Sequence, residues 1–484
     1  MGGTIRLRRV LFWLILLGAL GLRLRGIGNP LLDDQAWRQG DTAAMAFWMK
    51  GHLIDFPDVF FPKLSYDGVI AQRVELEFPF LPYLTACTWA IAGQADIWGR
   101  AWAVGFSLLS VWGIYRLGRE LLNDTVGLLA AAFYAVVPLG VFYGRVMMPE
   151  PVAQAFSIWA LALAARAGTQ RRYGRVLVPG MLMALAVLSK LPQLMILPVA
   201  LCLLFFPERP SGEGTRDVRR YFQEGIGGEL ALYLLIALGL PALYYSWVHV
   251  GSPEASRFVS GIIRGQVAEA QPPLLSYAKL VYHMALYLSG ALILTAAAGI
   301  GRLLRCWRRL RRAAVSLLLW SAISLLYIGW ICLPIPLDYY LMPVAPLLAL
   351  LAALALEGME FRRGALTGVI VVGLLVCRLG TVEMENKYAV QIDYRSQALW
   401  LKEHTPTDSV LLLSDEEPMT FYYAERAGFR LLAEDDRQAC AQIQNLPAQY
   451  LVKLPQTRRG SAFWQEIEGR YPEVGPGVFR LDDD

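Results

Sequence analysis

The stretch GRAWAVGFSLLSVWGIYRLGRE, residues 99–120, contains an apolar run that ends beside Arg116 and Arg119. A helix needs about 20 mostly apolar residues to cross a bilayer. Basic residues beside such helices are enriched on the cytoplasmic side. The stretch therefore predicts a transmembrane helix near residues 98–117 whose carboxyl end faces the cytoplasm.

The composition of the whole chain is typical of a membrane protein. Of its 484 residues, 56% are hydrophobic and 18% are charged, whereas soluble domains average about 45–50% apolar and about 25% charged residues. These values exclude one large water-soluble globule. They also exclude a disordered chain, which would be poorer in apolar residues and richer in charge.

Ten further segments have the same apolar character. We expect the first to remain as an uncleaved anchor, because Arg23 and Arg25 follow it in place of a small-residue cleavage site. The eleven predicted spans lie near residues 9–26, 98–117, 125–144, 149–166, 176–190, 192–206, 229–249, 276–300, 313–333, 340–358 and 364–380.

The basic clusters between the spans predict their orientation. With eleven crossings, every cluster falls on one side, which the positive-inside rule assigns to the cytoplasm. The segment 78–93 would break this alternation if it crossed, and it contains Pro79 and Pro82, so we expect a helix on or in the outer face. The amino terminus is then cytoplasmic. The clusters are Arg6/Arg8/Arg9, Arg116/Arg119, Arg166/Arg171/Arg172/Arg175, Arg209/Arg216/Arg219/Arg220, Arg302/Arg305/Arg308/Arg309/Arg311/Arg312 and Arg362/Arg363.

The predicted fold is therefore mainly α, with two domains. Residues 1–380 form a polytopic membrane helical bundle with about eleven spans, outer juxtamembrane helices and a long external loop at 27–97. Residues 381–484 form a small α/β domain outside the cytoplasm. Its predicted elements are a strand in DSVLLLSD (408–415), a helix in EPMTFYYAERAG (417–428) ended by Gly428, and a strand in AQYLVKL (448–454).

Several common site types have no support in the sequence. No phosphate-binding glycine motif stands where a strand would lead into a helix. The six cysteines and four histidines lack the spacing of a metal site. The basic residues alternate with spans and do not line one face, which argues against nucleic-acid binding. We expect no cofactor, no metal and no nucleic-acid partner.

The external loop opens with LLDDQAWRQGDTAAMAFWMKGH (31–52), which brings Asp33, Asp34, Arg38 and Asp41 close together. Carboxylates are common at helix amino termini, where they cap and solvate the helix. In a chain with so few charges, three acids beside a membrane span favour function. We expect at least one of them to be catalytic.

Four other patches carry charged or aromatic residues at the predicted outer face. Lys190, in SKLPQ (189–193), departs from the positive-inside tendency, so it is a candidate cation for a phosphate, although snorkelling into headgroups would also explain it. The others have structural alternatives as solvated turns, hairpin anchors or interfacial belts. The patches are Glu77 in VELEFPFLPYL (74–84), Arg145 and Glu150 in GRVMMPEP (144–151), Lys190, and Tyr339 and Tyr340 in LPIPLDYYLMPVAP (333–346). Acids and cations that gather at one outer level predict an enzyme for a lipid-phosphate substrate.

These motifs follow one another in an order that resembles a known superfamily. The run D-D-x(2)-W-R-Q-x-D-T-A-A, the E-F-P-x-L-P-Y segment, R-x(2)-M-P-E, S-K-x-P and D-Y-Y-L-x-P are similar to the GT-C membrane glycosyltransferases. The branch that they resemble contains the aminoarabinose transferases and the protein O-mannosyltransferases. The resemblance covers about residues 5–380.

The resemblance implies a sugar donor on a polyprenyl phosphate and inverting transfer to a lipid, glycan or protein acceptor at the outer face of a bacterial cytoplasmic membrane. The family's acidic pair corresponds to Asp33-Asp34, with Asp41 as a rival for the catalytic base. The family's Glu-Lys-Pro-Pro-like segment corresponds to Glu77-Phe78-Pro79-Phe80, where the lysine is absent and Lys190 is its candidate replacement. The candidate substrate-binding residues are Arg38, Glu77, Arg145, Glu150, Lys190, Tyr339 and Tyr340.

Two other functions stay open at this point. A ligase or polymerase of O-antigen type would move a larger glycan from a pyrophosphate-linked donor. A lipid or sugar transporter would need no chemistry, but the predicted spans carry few ionisable residues and no paired broken helices.

Overall fold

The computed structural model describes residues 2–167, 174–206, 226–262, 274–307, 309–357, 384–390, 392–415, 417–433, 435–457 and 459–481. Two compact units are present. Unit 1 comprises Met1–Ile27, Arg100–Val250 and Phe258–Asn386, and unit 2 comprises Gly28–Gly99, Gly251–Arg257 and Lys387–Asp484. The predicted span 364–380 and the predicted domain boundary after residue 380 lie outside the described residues.

Unit 1 is built from apolar helices. Short 3-10 or π-helical segments join some of them at Leu191–Ile196, Leu235–Gly239, Ile328–Cys332 and Asp338–Val344. The α-helices span Gly2–Arg23, Asp96–Leu121, Asp124–Val136, Pro138–Phe142, Glu150–Ala167, Gly174–Ser189, Leu197–Phe205, Ile226–Leu234, Leu240–Gly251, Phe258–Gly261, Leu274–Tyr287, Gly290–Arg305, Arg311–Tyr327 and Ala345–Glu357. They overlap the first ten predicted spans.

Three helices in the described part of the chain are long and apolar enough to cross a membrane: Gly227–Gly251, Arg311–Cys332 and Asp338–Glu357. A fourth candidate is the helix pair Leu274–Tyr287 and Gly290–Arg305. Four further apolar helical segments of the described residues have only 10–17 residues: Phe80–Ala92, Asp124–Val136, Gly174–Ser189 and Leu191–Phe205. The total of eleven spans stays a prediction.

The segment predicted as one span at 276–300 is bent by 86° between its two helices. Ser289 stands at the break with φ 69. A residue with a side chain rarely adopts positive φ, and an α-helix cannot continue through it. The span predicted at 276–300 therefore corresponds to a bent pair of helices, and its crossing of the membrane stays a prediction.

Unit 2 contains a five-stranded sheet near the carboxyl terminus, which we call the C-terminal sheet. Tyr450–Val452 is the central strand, and Val410–Leu413 lies between it and the edge strand Ala427–Arg430, parallel to both. Val478–Arg480 continues the sheet antiparallel to Tyr450–Val452, and Glu473–Gly475 forms the other edge. Two of these strands lie within the segments predicted at 408–415 and 448–454. Helices of this region span Tyr394–His404, Met419–Ala424, Asp436–Asn445 and Ser461–Arg470.

The helix predicted at 417–428 ends earlier than expected. It stops at Ala424, because Glu425 takes a left-handed conformation with φ 54 and its amide bonds back into the last turn. Gly428 lies instead in a parallel strand, where a Cβ would lie 1.9 Å from the Leu411 carbonyl oxygen. The glycine is needed for close strand approach and does not terminate the helix.

The segment 27–97, which we call the external loop after its predicted location, contains the helices Ala36–Lys50 and Phe80–Ala92 and a small hairpin of Lys63–Leu64 and Gln72–Arg73. We call Ala36–Lys50 the loop helix. The segment predicted at 78–93 is the helix Phe80–Ala92, which follows Pro79 and ends at Gly93, whose φ of 85 suits glycine.

Candidate active site

The three acids of the external loop occupy three different settings at the start of the loop helix. Gln35 is the N-cap residue, with φ 62 and no side-chain capping bond. Asp33 and Asp34 therefore precede the helix and do not cap it, whereas Asp41 lies inside the helix. The capping alternative does not explain these carboxylates.

Asp33 is 1% exposed. The Gln39 side-chain amide donates a 2.6 Å hydrogen bond to Asp33 Oδ1 and a second, of 3.2 Å, to the Asp34 carbonyl oxygen. Gln39 follows Arg38 in the W-R-Q motif, in the first turn of the loop helix, and its amide orients the Asp33 carboxylate.

Asp34 has a charged partner instead. The Lys387 ammonium forms an ion pair with Asp34 Oδ2, and the Asp34 amide donates a 3.0 Å hydrogen bond to the Lys387 carbonyl oxygen. The two contacts tie the external loop to the chain that leads into the C-terminal sheet.

Asp41 is 3% exposed and sits between a hydroxyl and a guanidinium. Tyr66 donates a 3.1 Å hydrogen bond to Oδ1, and an Arg38 nitrogen lies 3.8 Å from Oδ2. Burial raises the pKa of Asp41 from 3.8 to about 6, against the lowering effects of Arg38, Tyr66 and Arg430. Arg38 also pairs with Glu77. The structure thus joins three predicted residues: Asp41, Arg38 and Glu77.

A second polar cluster lies in unit 1, and we call it the lysine cluster. Lys190 follows the Gly174–Ser189 helix in an extended conformation, and its Nζ lies 2.9 Å from Glu150 Oε1 at the start of the Glu150–Ala167 helix. Both residues are less than a tenth exposed. The ammonium also lies 5.6 Å and 5.9 Å from the ring centres of Tyr339 and Tyr340, within the range of a cation–π contact.

Asp338 fixes the tyrosine side of the lysine cluster. The Tyr143 hydroxyl donates a 2.7 Å hydrogen bond to Asp338 Oδ1, and the Tyr339 amide donates to the same oxygen at 2.9 Å. The Tyr143 and Tyr339 rings meet edge to face. The structure therefore brings together four predicted residues: Glu150, Lys190, Tyr339 and Tyr340. The hydrogen bonds of Asp338 support Tyr143 and Tyr339.

Arg145 is fully buried elsewhere in unit 1. It donates a 3.1 Å hydrogen bond to the Gly26 carbonyl oxygen, and its guanidinium lies 5.0 Å from the centre of the Phe142 ring. These contacts hold the chain just after the first helix.

Sequence reasoning missed several supporting residues. The W-R-Q motif could have predicted a role for Gln39. No local pattern could have predicted the roles of Tyr66, Tyr143 and Lys387, since each contacts a residue distant in the sequence. Within the described ranges, no three side chains of His, Cys, Asp or Glu are grouped closely enough to hold a metal ion.

Residues 77–213 match a family model described as dolichyl-phosphate-mannose-protein mannosyltransferase. The matched segment is between a quarter and a third of the chain and includes Glu77, Arg145, Glu150 and Lys190. No protein of curated function matches the chain significantly by sequence.

Solved structures resemble the chain over nearly its full length. ArnT from Cupriavidus metallidurans, bound to undecaprenyl phosphate, has a TM-score of 0.67 and 14% identity, with 99% of this chain and 98% of that chain covered. The chain has the GT-C fold. The oligosaccharyltransferase AglB from Archaeoglobus fulgidus, in complex with an inhibitory peptide and a dolichol-phosphate, has a TM-score of 0.63 and 16% identity, with 92% and 69% covered. The resemblance to the GT-C superfamily that the sequence predicted is confirmed.

Proposed function

We propose that this GT-C chain is an inverting glycosyltransferase that takes a sugar from a polyprenyl phosphate. The acceptor is a lipid, a glycan or a protein at the outer face of the cytoplasmic membrane. The observation that carries the proposal is the lysine cluster, a buried cation held between a carboxylate and two tyrosine rings. The bound undecaprenyl phosphate and dolichol-phosphate of the two GT-C neighbours support a lipid phosphate as the ligand.

Lys190 is the proposed ligand of the donor phosphate. Its ammonium is paired with Glu150 at 2.9 Å, yet within the described residues neither carboxylate oxygen of Glu150 accepts a hydrogen bond of good geometry. A phosphate would give the ammonium a more highly charged partner, and hydrogen bonds between ionised groups are strong in a dry site. Arg38 and Arg145 are the other cations proposed on the substrate side, with Glu77, Tyr339 and Tyr340 as further binding residues.

Asp33 is the proposed catalytic base. Its oriented oxygen accepts from a neutral amide, whereas Asp34 faces an ammonium and Asp41 is enclosed by Tyr66 and Arg38. The hydrogen bond from Gln39 gives the Asp33 carboxylate a fixed orientation. It also belongs to the acidic pair that the resemblance to the superfamily singles out.

These groups account for the proton and the leaving group of the proposed transfer. The acceptor oxygen or nitrogen attacks the anomeric carbon and gives its proton to Asp33, while the bond from that carbon to the phosphate oxygen breaks. The polyprenyl phosphate leaves as an anion that Lys190 stabilises. One carboxylate is enough for such a single displacement, which inverts the anomeric carbon, whereas a retaining glycosidase needs a second carboxylate as nucleophile.

The test is release of free polyprenyl phosphate by the purified protein. Polyprenyl-phosphate pentoses and hexoses and a polyprenyl-pyrophosphate oligosaccharide would be supplied in parallel with lipid, glycan and peptide acceptors from an envelope extract. Release from one monophosphate donor, lost in Asp33→Asn, is the expected result. Turnover of the pyrophosphate donor alone would favour the ligase or polymerase. No turnover together with transbilayer movement of the donor would favour the transporter.

A further inference from the structure

The C-terminal sheet contacts the external loop through Arg430, at the end of strand Ala427–Arg430. The Arg430 guanidinium donates two hydrogen bonds to the Asp67 carboxylate, at 3.1 Å and 2.5 Å. The same guanidinium lies 4.2 Å from the centre of the Tyr66 ring. A cation this close to a tyrosine face is within the range of a favourable contact. Arg430 therefore holds the Tyr66 ring in place and puts a positive charge beside it.

Tyr66 in turn contacts the loop helix. Its ring is 6% exposed, and its hydroxyl donates to the buried carboxylate of Asp41. Arg38 approaches the other oxygen of that carboxylate and also pairs with Glu77. A chain of contacts thus runs from the C-terminal sheet through Tyr66 and Asp41 to two residues proposed to bind substrate.

Contacts at two glycines, Gly428 and Gly40, place the carboxyl-terminal region against the external loop. Gly428 accepts a hydrogen bond from the Gly68 amide at 3.0 Å and donates one to the Ser65 carbonyl at 3.1 Å. On the loop helix, Gly40 leaves room for Met419, whose sulfur lies only 2.3 Å from the position that a Cβ would occupy. The register between the sheet and the loop is therefore set independently of Arg430.

We infer that Arg430 is a positioning residue for sugar transfer, acting through Tyr66 and Asp41 on Arg38. This inference rests on the proposed function, and it gives the carboxyl-terminal region a role in the reaction. An ionised Asp41 attracts Arg38 and holds its guanidinium in place, and a protonated Asp41 loses that attraction. The reaction rate then depends on the ionisation of Asp41.

The charges around Asp41 fix the direction of the expected effect. Burial raises the pKa of Asp41, Arg38, Tyr66 and Arg430 lower it, and Glu77 raises it. Glu417 also faces this region. Burial raises its pKa to about 7, the Met419 amide lowers it, and Asp41 and Asp415 raise it. Removal of Arg430 takes away one cation that favours the ionised form of Asp41, so the pKa of Asp41 rises.

The experiment compares Arg430→Ala, Arg430→Lys and Tyr66→Phe in the full-length protein. The matched control is Lys453→Ala, because Lys453 also pairs with an acid, Glu468 at 3.4 Å, and also lies over an aromatic ring, Trp464 at 4.8 Å. The first readout is the pH profile of kcat/KM for polyprenyl phosphate release. The second readout needs no turnover: the infrared band of the protonated carboxyl, assigned by its loss in Asp41→Asn, is titrated with pH.

The expected result is a shift of both the acid limb and the infrared midpoint to higher pH, by several tenths of a pH unit, in Arg430→Ala and Tyr66→Phe. The shift is smaller in Arg430→Lys than in Arg430→Ala, and Lys453→Ala causes no shift. An infrared midpoint in Arg430→Ala equal to that of the control overturns the inference. So does a shifted midpoint with an unshifted acid limb. A wild type that releases no polyprenyl phosphate overturns the proposed function alone, and the infrared midpoint still decides whether Arg430 controls Asp41.

Discussion

The lysine cluster of unit 1 and the acids of unit 2 use charge in opposite ways. In the lysine cluster, one cation and one carboxylate neutralise each other beside two tyrosine rings. In unit 2, three carboxylates within nine residues of sequence have three different partners: an amide, an ammonium and a hydroxyl. The first arrangement suits the binding of an anion of fixed charge. The second places chemically identical side chains in different surroundings, and burial raises the pKa of one of them, Asp41.

The largest effect is expected from Asp33→Asn, which removes the proposed base and keeps the shape. General base catalysis contributes about 10²–10⁴-fold, so polyprenyl phosphate release should fall by about that factor. Asp34→Asn is the matched control, because it changes the neighbouring acid that is already paired with Lys387. Rates measured for both variants on one donor decide the assignment. A larger loss in Asp34→Asn than in Asp33→Asn would reverse it.

Lys190→Met should have the next largest effect, because it keeps the length of the side chain and removes its charge. Loss of one group that stabilises developing charge costs about 10²–10³ in kcat. Lys190→Arg should retain part of the rate, and Lys279→Met, which changes an exposed lysine of unit 1, serves as the control. Steady-state rates at saturating donor test this expectation. Wild-type activity in Lys190→Met would contradict the proposed role of the lysine cluster in binding the donor phosphate.

Asp41→Asn should change stability in a pH-dependent way. The folded protein holds a proton on Asp41 more tightly than the unfolded chain, since the pKa is raised from 3.8 to about 6. Stability is therefore lost as pH rises through this window. At pH 8 the variant should be more stable than wild type, by roughly 3 kcal/mol at most, and the difference should shrink at pH 5. Melting temperatures at the two pH values measure it, and a difference that does not vary with pH would contradict it.

Gly40→Ala tests the fit between the loop helix and the helix Met419–Ala424. The added methyl group would meet the Met419 sulfur at 2.3 Å, and overpacking of this kind costs about 1–3 kcal/mol. In a Met419→Ala background the same substitution should cost much less, because the clashing atom is absent. Thermal unfolding of the wild type, the two single variants and the double variant measures both costs. An equal cost of Gly40→Ala in the two backgrounds would show that the strain lies elsewhere.

Local sequence patterns predicted much of the fold and part of the candidate active site. Apolar length predicted helices at ten spans, and strand propensity predicted Val410–Leu413 and Tyr450–Val452. The bend at Ser289 and the early helix end at Glu425 were missed, because both depend on a residue with a side chain at positive φ. The partners Lys387 and Arg430 were missed for another reason. Each meets its acid across more than 350 residues of sequence, and no local pattern encodes such a contact.

The measurement that tests the account most directly is binding of free polyprenyl phosphate, compared with transfer activity, in Asp33→Asn and Lys190→Met. If the lysine cluster binds the anion and the acids transfer the proton, Asp33→Asn binds polyprenyl phosphate as tightly as wild type but transfers sugar about 10²–10⁴-fold more slowly. Lys190→Met then loses both affinity and transfer activity. Wild-type affinity in Lys190→Met, or an equal loss of affinity in Asp33→Asn, would contradict this division of roles.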